Sequence, residues 1–247
     1  MMKKIRLDEF LMQKGDAVDR LAAFVLVTEG RVRVNGQKAV SPAMLIMKDA
    51  RVEVWRIADQ YVGRGALKLA GALDEFQLDP TGMICADIGA ATGGFTEVLL
   101  RRGAVHVYAI DTAYGKLALK LREDPRVVVK EKTDVRKMPL LPEAVDLAVS
   151  DVSLISLRNI LPSIVPLLKP DGCVVVLFKP QYETRDPKLL KNGVVVSQVA
   201  REEMFADFLR WVEKNGWRVQ GKMRSPIRGT TGNVEYLVLL MREFASE

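Results

Sequence analysis

Histidine occurs once in the 247 residues, at His106, and cysteine only twice, at Cys85 and Cys173. A single imidazole cannot build a histidine-rich metal site, so no metal is expected, and a Ser-His-Asp apparatus is left almost without a base. The two thiols stand far apart inside apolar segments, which fits free cysteines in a reducing, cytoplasmic setting and no disulfide framework. No apolar run approaches the ~18 residues of a membrane span. The opening stretch, MMKKIRLDEF, has two lysines but no apolar core behind them, so neither a membrane partner nor a secretory signal is expected.

What remains is an ordinary globular composition, 49% hydrophobic and 28% charged, which excludes a disordered chain. The formal charge of +6 points toward a polyanionic partner, nucleic acid being the commonest. Residues 1–60 hold eleven basic and eight acidic side chains and the rest hold twenty-six and twenty-three, so the first part carries half the excess on a quarter of the length.

That first part reads as a separate unit, 1–55. Ile5, Leu7, Phe10 and Leu11 are spaced for a short helix. Asp19 is placed to cap a second helix running to Glu29, with Leu21, Phe24, Val25 and Leu26 as its apolar side and Gly30 as its stop. Arg31 to Gly36 alternates basic and β-branched residues into an Asn-Gly hairpin turn, putting Arg31 and Arg33 on one face, and Arg51 to Trp55 forms a further strand. The string Gly30-Arg31-Val32-Arg33-Val34-Asn35-Gly36, with Arg6-Leu7-Asp8 and Gly15 ahead of it, resembles the small RNA-binding module of small-subunit ribosomal protein four and pseudouridine synthases. The resemblance implies a basic face for structured RNA, with Arg6, Arg20, Arg31 and Arg33 as candidate contacts.

After a linker at 56–60, residues 61–247 alternate apolar strands with amphipathic helices. Strands are expected at 84–87, 105–111, 127–130, 145–151, 173–178, 218–223 and 235–241, and helices at 95–102, 114–122, 157–168 and 199–215. The pattern predicts an α/β fold: a doubly wound, mostly parallel, seven-stranded Rossmann-like sheet, preceded by the small α+β unit. Ligands of such sheets bind beyond the carboxyl ends of the strands. The first strand runs into Asp87-Ile88-Gly89-Ala90-Ala91-Thr92-Gly93-Gly94-Phe95, which is neither a Gly-x-Gly-x-x-Gly fingerprint nor a phosphate loop and contains no basic residue. An acid before the turn suits an amino or sulfonium group. Asp111, ending the second strand, is placed for ribose hydroxyls, and Asp134 for the exocyclic amine of a base. The expected cofactor is S-adenosylmethionine, held by Asp87, Gly89, Ala90, Thr92, Gly93, Gly94, Phe95, Asp111 and Asp134.

Asp151 and Lys179 end the fourth and fifth strands, Lys68 lies ahead of the sheet, and Glu235 opens the last strand. A lysine leaving a buried strand must be paired or neutral, and Asp151 is its natural partner. The order Lys68, Asp151, Lys179, Glu235 around such a loop resembles the Lys-Asp-Lys-Glu set of FtsJ-like RNA 2'-O-methyltransferases. The strings at 61–69, 87–95, 151–153, 179–181 and 225–235, together with the N-terminal module, resemble the TlyA family of ribosomal RNA 2'-O-methyltransferases, often labelled haemolysin A. That resemblance implies methyl transfer to the 2'-hydroxyl of a cytidine in ribosomal RNA or ribosomal subunits, with Arg64 as a further RNA contact. Lys179 is the expected base, Lys68 the second cation, Asp151 the orienting group and Glu235 the anchor of Lys68 or the ribose. Three rivals stay open: a pore-forming toxin, a non-catalytic RNA-binding assembly factor, and a base methyltransferase. Against the last, Asp151-Val152-Ser153-Leu154 is not the Asn/Asp-Pro-Pro-aromatic string of amine-directed enzymes. The oligomeric state is left open.

Overall fold

A computed structural model describes residues 4–28, 30–54, 61–184 and 186–242. Glu29, Trp55 and the expected linker 56–60 lie outside the described residues. The chain divides into two compact units, Met1–Gln60 and Tyr61–Glu247.

In the first unit β1 (Lys4–Arg6) leads into α1 (Leu7–Gln13), followed by α2 (Arg20–Thr28), β2 (Val32–Val34), β3 (Gln37–Lys38), β4 (Leu45–Met47) and β5 (Val52–Val54). Strands β1 and β4 pair antiparallel, and β3-β2-β5 form a second small sheet. Ile5 therefore lies in a strand, and the helix begins only at Leu7. Asp19 does cap α2, its Oδ1 accepting from the Ala22 N–H at 2.7 Å. Asn35 and Gly36, both at positive φ, make the two-residue turn between β2 and β3. Arg33 points outward while Val32 and Val34 are buried. The apolar side of α2 differs from expectation: Ala23, Leu26 and Val27 face the core, whereas Leu21 and Phe24 are exposed. Leu21 to Val27 is apolar at every position, so no periodicity was present to choose a face.

The second unit opens with α3 (Ala66–Glu75), β6 (Ile84–Ile88), α4 (Gly94–Arg101), β7 (His106–Ile110), α5 (Leu119–Arg122) and β8 (Val127–Lys130). It continues through β9 (Val145–Ser150), α6 (Leu161–Ile164), β10 (Leu168–Phe178), α7 (Pro180–Glu183), the small hairpin β11 (Leu190–Lys191) and β12 (Val194–Val195), α8 (Gln198–Lys214), β13 (Trp217–Arg224) and β14 (Tyr236–Arg242). The sheet is seven-stranded in the order β13-β14-β10-β9-β6-β7-β8. Its middle and one side are parallel, and β14 runs antiparallel between β10 and β13. The winding reverses between β6 and β9, which is where the crevice of such a sheet opens.

Side chains alternate across the strands into two cores. One gathers Cys85, Leu147, Val149, Val175, Leu177, Leu237 and Leu239 beneath Leu69, Ala72 and Leu73 of α3. The other gathers Ala86, Ile88, Ala148, Val174, Val176 and Val238 beneath Phe208 and Val212 of α8. Cys85 and Cys173 are buried free thiols, and burial pushes them up to about 12 and about 11.

Two expected helices are cut short. Of 114–122 only Leu119–Arg122 is helical, because Gly115 takes φ +70° in the turn before it. The stretch 157–168 breaks into a 3₁₀ turn, α6 and a second 3₁₀ turn, since Pro162 and Pro166 cannot donate to a continuous helix. Helix α3 and the β11–β12 hairpin were not expected, although Ala66, Leu69 and Leu73 stand at helical spacing.

Candidate active site

Alternation brings the acid and lysine positions together. Asp151 continues the parity of Leu147 and Val149, Lys179 that of Val175 and Leu177, and Glu235 that of Leu237 and Leu239, so all three lie on the face covered by α3. Lys68 sits on α3 beside Leu69 and one turn before Ala72. At the carboxyl edge Lys68 Nζ lies 2.7 Å from Glu235 Oε2 and 3.8 Å from Asp151 Oδ2. Lys179 Nζ lies 2.5 Å from Asp151 Oδ1 and donates to Ser153 Oγ at 2.8 Å. One carboxylate thus stands between the two amines, with the second anchoring Lys68 from behind.

Lys68, Lys179 and Glu235 are buried. Such charges persist out of water only as a mutually neutralising, hydrogen-bonded set. Burial pushes the Asp151 carboxyl up, but Lys68 and Lys179 more than offset this and hold it below the usual carboxylate range.

Several supports hold this set and, Arg64 apart, which was expected as an RNA contact, carried no recognisable role in the sequence. Gly229 lies so close to Glu235 that an added Cβ would stand 2.3 Å from Oε1. Asn233, fully buried, accepts from the Val195 N–H at 2.9 Å and donates to the Gly193 carbonyl at 2.8 Å and Thr231 Oγ1 at 3.0 Å, fastening the β11–β12 hairpin to the loop before Glu235. Glu183 accepts from Ser156 Oγ at 2.6 Å and the Leu157 N–H at 2.7 Å, tying the segment after Lys179 to the loop after Asp151. Glu97 accepts from the Val62 N–H at 2.5 Å and steadies the segment ahead of Lys68. Arg64 donates to the Arg228 carbonyl, so its guanidinium braces the same loop as Gly229.

Next to this set opens a cleft of about 1060 Å³ between the ends of β6, β7 and β9, bordered by Gly89, Asp111, Asp134 and Asp151. Gly89 adopts φ +86°, and a Cβ there would stand 2.8 Å from the Asp151 carbonyl oxygen, so only glycine lets the two strand ends close on each other. Asp111 accepts from the Ala91 and Ala113 N–H groups at 2.8 and 2.7 Å, which fixes its carboxylate at the rim. Asp134 is gripped by Arg136 at 2.6 Å, which holds its carboxyl down to about 2. Asp87 is fully buried behind the turn: Oδ2 accepts from the Thr96 N–H and hydroxyl at 2.9 and 2.6 Å, and Oδ1 has no partner among the described residues. Burial pushes this carboxyl up to about 7 despite the Thr96 bonds. A buried acceptor lacking a donor, beside a glycine-lined turn, fits a cationic amino group. Asp87, Ala90, Thr92, Gly93, Gly94 and Phe95 do not border the cleft. Gly93 packs beneath Leu117 and Leu121, Gly94 against the Gly63–Ala66 backbone, and Phe95 beside Gly65.

In the first unit Arg6 pairs with Asp8 at 2.6 Å and Arg20 with Glu9 at 3.3 Å, both partly exposed. Arg33 projects from β2 with Gly36 O near its guanidinium, and Arg31 precedes that strand.

Comparison with known proteins shows the family. Residues 61–242 match the FtsJ-like methyltransferase family. The 16S/23S rRNA (cytidine-2'-O)-methyltransferase TlyA of Mycobacterium tuberculosis is 42% identical over 245 residues, covering 97% of this chain and 91% of that one. Hemolysin A of Brachyspira hyodysenteriae is 37% identical over 236 residues, 94% and 98% of the two chains. A solved structure described as a hemolysin from Streptococcus thermophilus superposes with a TM-score of 0.76 at 35% identity, covering 98% of this chain and 90% of that one. A buried Lys-Asp-Lys-Glu set at the carboxyl edge, in a chain with these relatives, places the protein in the TlyA branch of the FtsJ-like methyltransferases.

Proposed function

We propose that this enzyme transfers a methyl group from S-adenosylmethionine to the 2'-hydroxyl of a cytidine in ribosomal RNA. The observation that carries the reading is Asp151 standing between Lys68 and Lys179, 2.5 Å from the latter, at the mouth of the cleft. A ribose hydroxyl is a weak acid and a poor nucleophile, so the site must orient it and accept its proton. Bound in the cleft, the cofactor would supply an electrophilic methyl on a sulfonium. Asp111 would receive the cofactor's ribose hydroxyls, Asp87 would face its ammonium through the unpartnered Oδ1, and Asp134 with Arg136 would border the adenine. Lys179 must give up a proton before it can take that of the hydroxyl, and Ser153 and Asp151 hold its Nζ in place. Lys68, paired with Glu235, steadies the developing alkoxide.

The first unit is assigned the grip on structured RNA, through Arg31 and Arg33 on the β2 face and Arg6 and Arg20 beside α1. A duplexed target ribose would have to be exposed before it reached Lys179. The haemolysin names of some relatives suggest membrane lysis, but no helix among the described residues is long and apolar enough to cross a membrane. Labelled S-adenosylmethionine with ribosomal subunits tests the proposal. The parent protein should label RNA at a cytidine 2'-oxygen, and Lys179→Ala should slow single-turnover transfer by about 10²–10⁴-fold with its fold intact. Transfer by Lys179→Ala at the parent rate would refute the role of that amine, and label on a base would refute the reaction.

A further inference from the structure

Charge is unevenly balanced along the carboxyl edge of the sheet. The cofactor cleft is bordered by both signs, with Asp134 paired to Arg136, and Glu183 and Asp207 to Arg158. Beyond the lysine pair, residues 187–201 and 214–234 contain no aspartate or glutamate, yet carry Lys188, Lys191, Arg201, Lys214, Arg218, Lys222, Arg224 and Arg228. The first acid after this second stretch is Glu235, which is buried against Lys68.

The fold collects four of these basic residues at one rim. Strand β13 runs parallel to β10, so its last residues, Lys222 and Arg224, reach the edge that holds Lys179. They pair with Val238 and Tyr236, residues of the α8-covered core, and so project on the α8 face. The β11–β12 hairpin, which bears Lys191 and is preceded by the 3₁₀ turn Pro187–Leu189 with Lys188, also packs against α7 and α8 and is fastened by Asn233 to the loop that continues β13. All four side chains are exposed. None has an ion-pair partner among the described residues. Lys222 and Arg224, alternate residues of one strand, stand about 7 Å apart, comparable with successive phosphates along a nucleic-acid strand. Unbalanced cations gathered at one rim repel one another, a repulsion that a polyanion relieves.

We infer that Lys188, Lys191, Lys222 and Arg224 form a track for the phosphodiester backbone of the RNA strand that carries the target ribose. The inference rests on the RNA-methylation reading above and adds a direction: the strand lies over the β13 rim, whose four cations are unpaired among the described residues, whereas Arg136 and Arg158 at the cleft are already held by carboxylates. Recognition of backbone at this rim is independent of sequence, and nucleotide choice resides elsewhere.

The test uses the full-length protein, unmodified ribosomal RNA and a salt titration. Two double variants reverse the rim, K188E/K191E and K222E/R224E, and K188Q/K191Q and K222Q/R224Q neutralise it. A control pair, K214E/R218E, alters the opposite end of β13. Each rim reversal should weaken RNA binding at least about tenfold near 100 mM salt and reduce the slope of log K against log salt by about 1–2, with smaller losses for the glutamine pairs. Cofactor affinity should stay within twofold of the parent in every variant, as should RNA affinity in the control pair. Rim variants that bind RNA with parent affinity and slope overturn the track, as does a control pair that weakens binding equally. If the parent methylates RNA and the rim variants match its KM, the track alone fails. A parent that methylates no RNA overturns both this inference and the reaction.

Discussion

Asp87 shows how one buried acid can link ligand binding to pH. Its folded carboxyl sits at about 7, against roughly 3.9 in an unfolded chain. The folded state therefore binds more protons between those values, and stability falls as pH rises across that window. Asp87→Asn removes the charge, so the ligand-free variant should melt several degrees above the parent at pH 7.5 and lose that advantage near pH 4.5. A thermal melt at the two values checks this. Cofactor affinity should fall about tenfold or more, measured by calorimetry, because the ammonium loses its counter-ion. At Gly229 an added methyl would meet the carboxylate of Glu235, which is buried against Lys68 and cannot withdraw without loosening that pair. Gly229→Ala should therefore lower stability by about 1–3 kcal/mol and slow methyl transfer on the order of 10²-fold, through a displaced Lys68. That Asp151 and Lys179 would meet was legible from the neighbouring strand ends they occupy, whereas Lys68 and Glu235 joined them only through the resemblance to FtsJ-like enzymes. The roles of Gly229, Ser153, Thr96 and Asn233 were not legible, because each acts through a neighbour distant in the chain, and single glycines or hydroxyls carry no pattern of their own.

At the scale of elements, the parallel strands could be read to within a residue or two at most ends, since short apolar runs between turn residues leave few alternatives. Helices were harder. Pro162 and Pro166 were visible punctuation inside 157–168, and the structure obeys them. Leu21 to Val27 is apolar throughout, and only the packing of Ala23, Leu26 and Val27 against α1 and the small sheets decided its inward side. The β11–β12 hairpin is too short for any periodicity, and its place is set by a side chain thirty-eight residues further on. Asn233→Ala should leave the Val195 N–H and the Gly193 carbonyl without their partner, lowering stability by about 1–3 kcal/mol. Hydrogen exchange should accelerate in residues 190–195 before it does in β10 or β14. Unchanged exchange there would show that the hairpin is held by other contacts.

For the whole molecule, the proposed division of labour separates two measurable affinities. Reversing Arg31 and Arg33 together should weaken RNA binding and flatten its salt dependence while cofactor affinity stays at the parent value. Equal loss of both would indicate a damaged fold and remove the assignment of RNA grip to that face. The order in which the chain emerges during synthesis has a consequence of its own. Among the described strands β14 comes last in the chain, yet it inserts between β10 and β13, and the residue just before it, Glu235, meets an amine 167 residues earlier. A growing polypeptide can therefore complete β6 to β9 before Lys68 meets Glu235. On the proposed chemistry, a fragment cut short before that insertion should transfer no methyl group, because the pair closes only when β14 docks.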